Sequence, residues 1–411
     1  MEQLEIKFKN LTITQFLERL DNTHAPWLVK RLSGNDTGIT GGHQAGLYIP
    51  RSFMKEIVPN IVTTKQYNPT KAIDCFISSH DCYKEEIQAK YYNNKFFPEK
   101  KKLKKYDEFR LTRWKDTPLQ DIDNTGAICI LAGINIEGNN HLICWVSRNT
   151  EEEDDIEQWI GQEIEPGRMY YSKQMSPFAP SKTLEEQIPE QWKHTFPTSR
   201  EIFDFVSRLL PEQTWPKTSD ELLLKRRWLE FEVFSIIERY DVLPNIQNGY
   251  QNVDDFIKYA NTVVNRRKSR SGTSLELNLA SIFTYHQIQF DTQVVTEQNK
   301  KPDFIFPSAE AYRNLCFPEY KLSMLASKTC CKDRWRQILN EADRIHPKHL
   351  FTLQEGISSK QLSEMKANGV VLVIPEPNRH FFPTDNNSLI INLTGFMDLI
   401  LQKQSSTCLG V

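Results

Sequence analysis

The sequence predicts a multidomain protein whose N-terminal part is mostly β and whose C-terminal part is α/β. Three observations carry this. A length of 411 residues favours two hydrophobic cores over one. Between Lys30 and Trp145 the apolar residues fall in short alternating runs separated by turn-rich segments, the pattern of a barrel or sandwich. Beyond Ser199 helical periodicities are followed by short apolar runs and further helical spacing, which is α/β order. The formal charge of −2 and the 39% hydrophobic content describe an ordinary globular chain, so any basic surface must be local.

In the first part, strands are expected at Gly46–Ile49, Lys71–Ile77, Phe109–Trp114, Gly126–Ile134 and His141–Val146. The polar, glycine-rich stretch from Gly34 to Gln44 lacks the Gly-Lys-Ser/Thr ending of a phosphate loop and reads as a structural turn. From Lys95 to Lys115 nine Lys or Arg stand against three acids, interleaved with Phe96, Phe97, Tyr106, Phe109 and Trp114. Charge of that density can neutralise phosphates; a solvated loop is the plainer reading. The acidic run Glu151–Asp155 reads as a solvated loop, or as a mimic that fills a basic cleft when nucleic acid is absent. The proline-containing stretch from Met169 to Pro197 has little periodicity and reads as a linker.

Eight cysteines, with Cys330 and Cys331 adjacent, show no zinc-like spacing with histidine, so free thiols in a reducing compartment are expected. The charged N-terminal stretch does not resemble a secretory peptide. The longest apolar run, near Gly126–Ile136, is too short to cross a bilayer. A cytoplasmic location, with no membrane partner, is the expectation.

The second part opens with helices at Ser199–Leu210 and, behind a capping sequence at Thr218, on to about Tyr240. A further helix is expected from near Ser274, and Gly369–Ile374 should be an interior strand. The stretch from Lys301 to Glu341 carries the chemistry. A strand at Lys301–Pro307 puts Phe304 and Phe306 on one face, leaving Asp303 and Ile305 on the other. A second strand, Leu322–Thr329, aligns Met324, Ala326 and Lys328. Trp335, Ile338, Leu339, Ala342 and Ile345 recur at helical spacing, predicting an amphipathic helix from Asp333 to about His346. Asp303, Lys328 and Glu341 then converge at one end of a sheet. Two carboxylates hold a hard cation such as Mg²⁺, which generates hydroxide and neutralises charge on a phosphate, while a lysine assists. The bland alternative is a Pro302-Asp303 turn and a solvated Lys328. Glu319-Tyr320-Lys321 is a competing acid-x-lysine triplet, but Pro318 before it suggests the entry to a strand.

The residues Lys300–Asp303, Phe306–Ala309, Tyr312, the run KTCCKDRWRQILNEAD from Lys328 to Asp343, and His349–Gly356 resemble the PD-(D/E)XK core of the EcoRII family of type II restriction endonucleases. The resemblance implies Asp303, Lys328 and Glu341 as catalytic residues, with Asp303 and Glu341 on Mg²⁺ and Tyr312, Lys332 and Arg334 beside them. It leaves Glu276 as an accessory metal-site acid or a surface acid. The run from Lys30 to Pro50 is similar to that family's effector-binding pseudobarrel, which implies DNA contacts from Lys30, His43 and Tyr48. Lys104, Glu108 and Arg110 fit its DNA-reading segment, although Tyr106 and Phe109 stand where basic residues are expected. Arg226, Arg227 and Glu230 are implied to read G·C pairs, and Arg266–Arg270 to touch phosphates.

The implied organisation is an effector domain at 1–171, a linker at 172–197 and a catalytic domain at 198–411. The implied partners are target and effector duplex DNA and a second copy of the chain, because palindromes suit two-fold symmetry. The implied target resembles CCWGG, with the N-terminal domain covering the catalytic cleft until effector binds. The rival reading is a sequence-specific DNA-binding regulator with an inactive nuclease fold.

Overall fold

The computed structural model describes residues 6–41, 46–97, 107–136, 138–172, 182–331, 333–383 and 389–405, and only the backbone of residues 182, 333 and 334. Helix α1 (Ile13–Thr23) starts at Thr12, whose side chain and Gln15 cap each other's backbone, and its Ile13, Phe16, Leu17 and Leu20 are buried. Eight strands follow: β1 (Trp27–Arg31), β2 (Leu47–Ile49), β3 (Thr70–Ile77), β4 (Cys82–Tyr92), β5 (Glu108–Thr112), β6 (Ile128–Ile136), β7 (Asn139–Val146) and β8 (Met169–Tyr171). They form one sheet in the order β2-β5-β4-β3-β7-β6-β1-β8. Within this sheet only the β3–β7 pairing is parallel among the described residues.

Alternation builds two cores. Leu28, Leu131 and Cys144 face a cluster to which every strand contributes, closed at one side by helix α2 (Arg51–Ile57). Val29, Ile130 and Trp145 point the other way, against α1 and helix α3 (Thr150–Ile160). Strand β4 escaped the sequence reading because its sequence, CYKEEIQAKYY, is mostly polar and only three of its residues are buried. The acidic run is likewise not a loop. It forms the first turns of α3, where carboxylates favour the helix N-terminus, and Glu153 and Glu157 hold buried Arg31 at 2.8 and 2.9 Å. It is therefore part of its own domain's scaffold and not a cleft mimic.

The second sheet runs β14-β13-β12-β11-β10-β9, with β9 (Asp291–Thr292), β10 (Phe304–Phe306), β11 (Ser323–Lys328), β12 (Lys348–Thr352), β13 (Val370–Ile374) and β14 (Ile390–Asn392). Strands β11 to β14 are parallel and β9 to β11 antiparallel. One face packs Phe304, Phe306 and Leu325 against helices α5 (Ser219–Asn248), α6 (Val253–Tyr285) and α8 (Leu393–Ser405). The other packs Ile305, Met324 and Ala326 against Trp335, Ile338 and helix α7 (Ser359–Ala367).

Three expectations change here. Helix α6 starts at Val253, capped by Asn252, well before Ser274. The helix expected from Asp333 to His346 is instead a 3₁₀ stretch ending at Asn340, and it cannot run on to His346 because Ala342 adopts a left-handed φ of 50°. The C-terminal half of the expected linker is not free: Leu184, Ile188 and Trp192 are buried with residues of α5 and of helix α4 (Ser199–Leu209).

The two sheets' domains meet closely. Gly34 N–H donates to Glu355 O at 2.7 Å, and a Cβ on Gly34 would lie 2.0 Å from Phe381 O. A Cβ on Gly126 would meet Gln354, and one on Gly167 would meet Glu355. Only glycine permits that approach. Seven described cysteines are free. Among the described residues no helix is long and apolar enough to cross a membrane.

Candidate active site and DNA-facing residues

Asp303 enters β10 beside the end of β11, where Ser327 donates to its Oδ2 from both N–H (2.7 Å) and Oγ (3.1 Å). Gln293 Nε2 lies 3.4 Å from both Asp303 Oδ1 and Glu276 Oε2, so an acid of α6 joins the strand acid. Burial raises the carboxyl of Glu276, and Asp303 raises it further while Lys328 opposes. Glu341 is raised by burial and by Asp303, with Lys328, Lys348 and Lys300 opposing. Gln293 thus links Glu276 to Asp303 near the end of β11, and Asp303 and Lys328 act on both Glu276 and Glu341. Among the described residues no three acids already form a closed metal cage. The donor set is nevertheless all oxygen and short of positive charge, which suits a hard divalent cation.

Lys321 lies in the short turn Glu319–Lys321 before β11, and Glu319 pairs with Arg344 at 3.4 Å. That triplet is not on the strand that carries Lys328. Tyr312 is buried and donates its hydroxyl to both oxygens of Glu297 at 2.6 Å. Expected beside the catalytic residues, it is tied to Glu297 in the wall. Lys332, His43, Lys104 and Tyr106 lie outside the described residues, as does the side chain of Arg334.

In the N-terminal domain Tyr48, 41% exposed, sits across from Arg110 in the β2–β5 pairing. Arg110 Nε reaches Glu108 at 3.4 Å, and Lys30 is held by Asp36 at 2.6 Å. Lys30, Tyr48 and Arg110 line a cavity of about 280 Å³ shared with Arg168, Glu355 and His380. These DNA-contact candidates therefore face the other domain. Phe109 stacks on Tyr91 at 4.4 Å and is buried; an aromatic stands there because the position is core.

Arg226, Arg227 and Glu230, implied to read G·C pairs, are all buried here. Arg226 lies over Trp215 at 4.8 Å and donates to Ser281 Oγ. Glu230 accepts from Asn278 at 2.6 Å and from Ser274, and burial raises its carboxyl despite these partners. Arg227 donates to Ser271 O at 2.7 Å and to Glu165 Oε2 at 3.2 Å. Glu165 belongs to the N-terminal domain and also holds Arg270 and Arg168. Burial pushes its carboxyl up, but Arg270, Arg168 and Arg227 outweigh that and hold it well below the usual range. Arg266 and Arg267 are not free for phosphates either, being paired with Asp241 at 2.5 Å and Glu238 at 2.7 Å. Sequence reasoning missed Glu165, Gln293 and Glu297. Glu165 had the signature of a turn, next to Pro166-Gly167, and the others had no local signal.

Two family models match this chain: the EcoRII C-terminal domain over residues 234–397, and the N-terminal domain of the restriction endonuclease EcoRII over residues 21–176. The type II restriction enzyme EcoRII of Escherichia coli is 43% identical over 384 residues, covering 90% of this chain and 92% of that protein. Solved structures of metal-depleted Ecl18kI with uncleaved, modified DNA and with uncleaved DNA are 18% and 19% identical. They cover 55% and 56% of this chain and 86% and 87% of those chains, with TM-scores of 0.42 and 0.40. The likeness over nine-tenths of the chain defines the class, that of the type II restriction endonucleases. Within that class the chain belongs to the EcoRII family.

Proposed function

We propose that this chain hydrolyses phosphodiester bonds of duplex DNA with Mg²⁺ at a PD-(D/E)XK centre made of Asp303, Lys328 and Glu341. The observation that carries this is the cluster at the end of β11, where Gln293 links Asp303 to Glu276 and Ser327 holds Asp303 beside Lys328. Asp303 and Glu341, with Glu276 as a third acid, would hold the cation. When bound, it lowers the pKa of a water and offsets charge on the phosphate. Ser327 fixes the Asp303 carboxylate, and Lys328 places a cation where charge develops on phosphorus. A target resembling CCWGG, a homodimer of two-fold symmetry, a cytoplasmic site of action, and an N-terminal pseudobarrel divided from the catalytic domain near residues 172–197 complete the reading.

The same proposal includes autoinhibition. Glu165 neutralises Arg227 and Arg270, and Lys30, Tyr48 and Arg110 line a cavity with Glu355, so the packed domains compete with DNA for these residues. Effector DNA would have to favour an open state through differential affinity. Incubation of the full chain with plasmid in Mg²⁺, followed by mapping of the ends, tests the activity and target together. Cutting in Mg²⁺ with binding but no cutting in Ca²⁺ is expected, because Ca²⁺ accepts looser coordination. Full activity in excess chelator overturns the metal role. Sequence-specific binding with no cutting in any divalent metal favours the regulator instead.

A further inference from the structure

Glu341 is followed at once by a residue in an unfavourable conformation. Ala342 has φ 50°, a region that costs a non-glycine residue free energy because Cβ crowds the backbone. Its side chain is fully buried, so the neighbouring core leaves it little freedom to relax. Such a conformation persists only where surrounding contacts over-determine it, and here they come from two sides. Lys348, itself 2% exposed, points its ammonium into the loop and donates to the carbonyl oxygens of Glu341, Ala342 (3.0 Å) and Ile345 (3.3 Å). Glu297 accepts from the backbone N–H of Asp343 at 3.3 Å, and the buried Tyr312 hydroxyl fixes that carboxylate in turn. A lysine at the first position of β12 thus takes three of its loop's carbonyls, while an acid takes an amide of the same loop.

We infer that Lys348 and Glu297 are positioning residues: together they clamp the left-handed turn at Ala342 and so aim Glu341 at the reacting centre. The inference rests on the nuclease reading above only for what Glu341 does; the clamp itself is a matter of backbone geometry. It also assigns a reason for Tyr312 to be buried where it is, as the residue that orients Glu297. An ammonium is suited to the task because it has three donors and no acceptor, matching three carbonyls around one point.

The test uses the full chain with K348M, E297Q, A342G and the K348M/A342G double variant. Three quantities are read: single-turnover cleavage in Mg²⁺, DNA affinity in Ca²⁺, and amide hydrogen exchange across residues 341–345. A misaimed catalytic group costs on the order of 100-fold in rate, so K348M should lose about that much while DNA affinity stays within about twofold. Its Asp343 amide should exchange faster. Glycine enters the left-handed region without the Cβ penalty, so adding A342G to K348M should recover at least about tenfold of the lost rate. Parental cleavage by K348M, or a loss of rate matched by an equal loss of affinity and unrelieved by A342G, overturns the clamp. If K348M does not fold, E297Q reads the same loop from its amide side: loss of rate without loss of affinity supports the clamp, and parental cleavage overturns it. Failure of the parental chain to cut any duplex sinks the nuclease reading instead, while hydrogen exchange at residues 341–345 still decides the clamp.

Discussion

Two ionic clusters in this molecule use the same side chains to opposite ends. At the domain interface one carboxylate, Glu165, faces Arg168, Arg227 and Arg270. At the end of β11 three carboxylates, Glu276, Asp303 and Glu341, share the field of Lys328. Burial disfavours the ionised carboxyl in both places, yet Glu165 is held low and Glu276 and Glu341 are pushed up. The sign of the surrounding charge decides. In the first cluster guanidiniums surround the carboxylate, and burial lowers Arg168 although Glu165 opposes. The second has an excess of carboxylate, and a cation would be welcome.

The largest expected effect tests the second cluster. D303A and K328A should each lower cleavage by about 10³-fold or more, since each removes charge stabilisation at the reacting phosphate. Both should still bind DNA in a mobility-shift assay. K321A, changed in the turn before β11, should cut at the parental rate. A dead K321A beside an active K328A would move the centre to the other triplet.

The first cluster is tested next by E165A. Removing one partner from a buried ionic group costs about 3–5 kcal/mol, here by taking from three guanidiniums the carboxylate that pairs with them. Opening the domains would hydrate them, so E165A should show a lower midpoint in urea and faster initial cleavage of one-site plasmid. A fragment starting near Lys182, which keeps Leu184, Ile188 and Trp192 in their core, should cut one-site DNA faster than the full chain as well. A folded fragment that is slower would make the N-terminal domain an affinity module and dissolve the contrast between the clusters.

The smallest effect sharpens the same interface. Glu355 sits against Gly167 between the domains, and burial raises its carboxyl to about 7, with Lys30 opposing and Asp36 adding to the rise. A raised carboxyl means that the packed state binds the proton more tightly than the unfolded chain. Its contribution is full below the ordinary carboxylate pKa and is lost as pH rises to about 7. E355Q should remove that slope, stabilising the protein by about 1–2 kcal/mol at pH 8 relative to the parent and by little near pH 4. Urea titrations at the two pH values check this, and parallel pH profiles for parent and variant would remove Glu355 from the interface balance.

How much was legible follows from the range of each interaction. Period-two alternation made β10 and β11 readable: Ile305, Met324 and Ala326 do face one core and Phe304 and Leu325 the other. That register alone puts Asp303 and Lys328 at the same end of the sheet. The helix after β11 was misread because Trp335, Ile338 and Ala342 are apolar at helical spacing and buried as expected, while spacing carries no information about the φ of Ala342.

The sequence by itself determined the two-part architecture and strands β10, β11 and β13 of the second sheet, because those depend on periodicity within a strand. Only the tertiary structure decided what Arg227 and Arg270 do. Read alone they are basic residues on helices, which are ordinarily solvated. Buried against Glu165, 62 and 105 residues away, they become the ties of a closed interface, because an ion pair has no sequence period and exists only where two independently built surfaces bring opposite charges together.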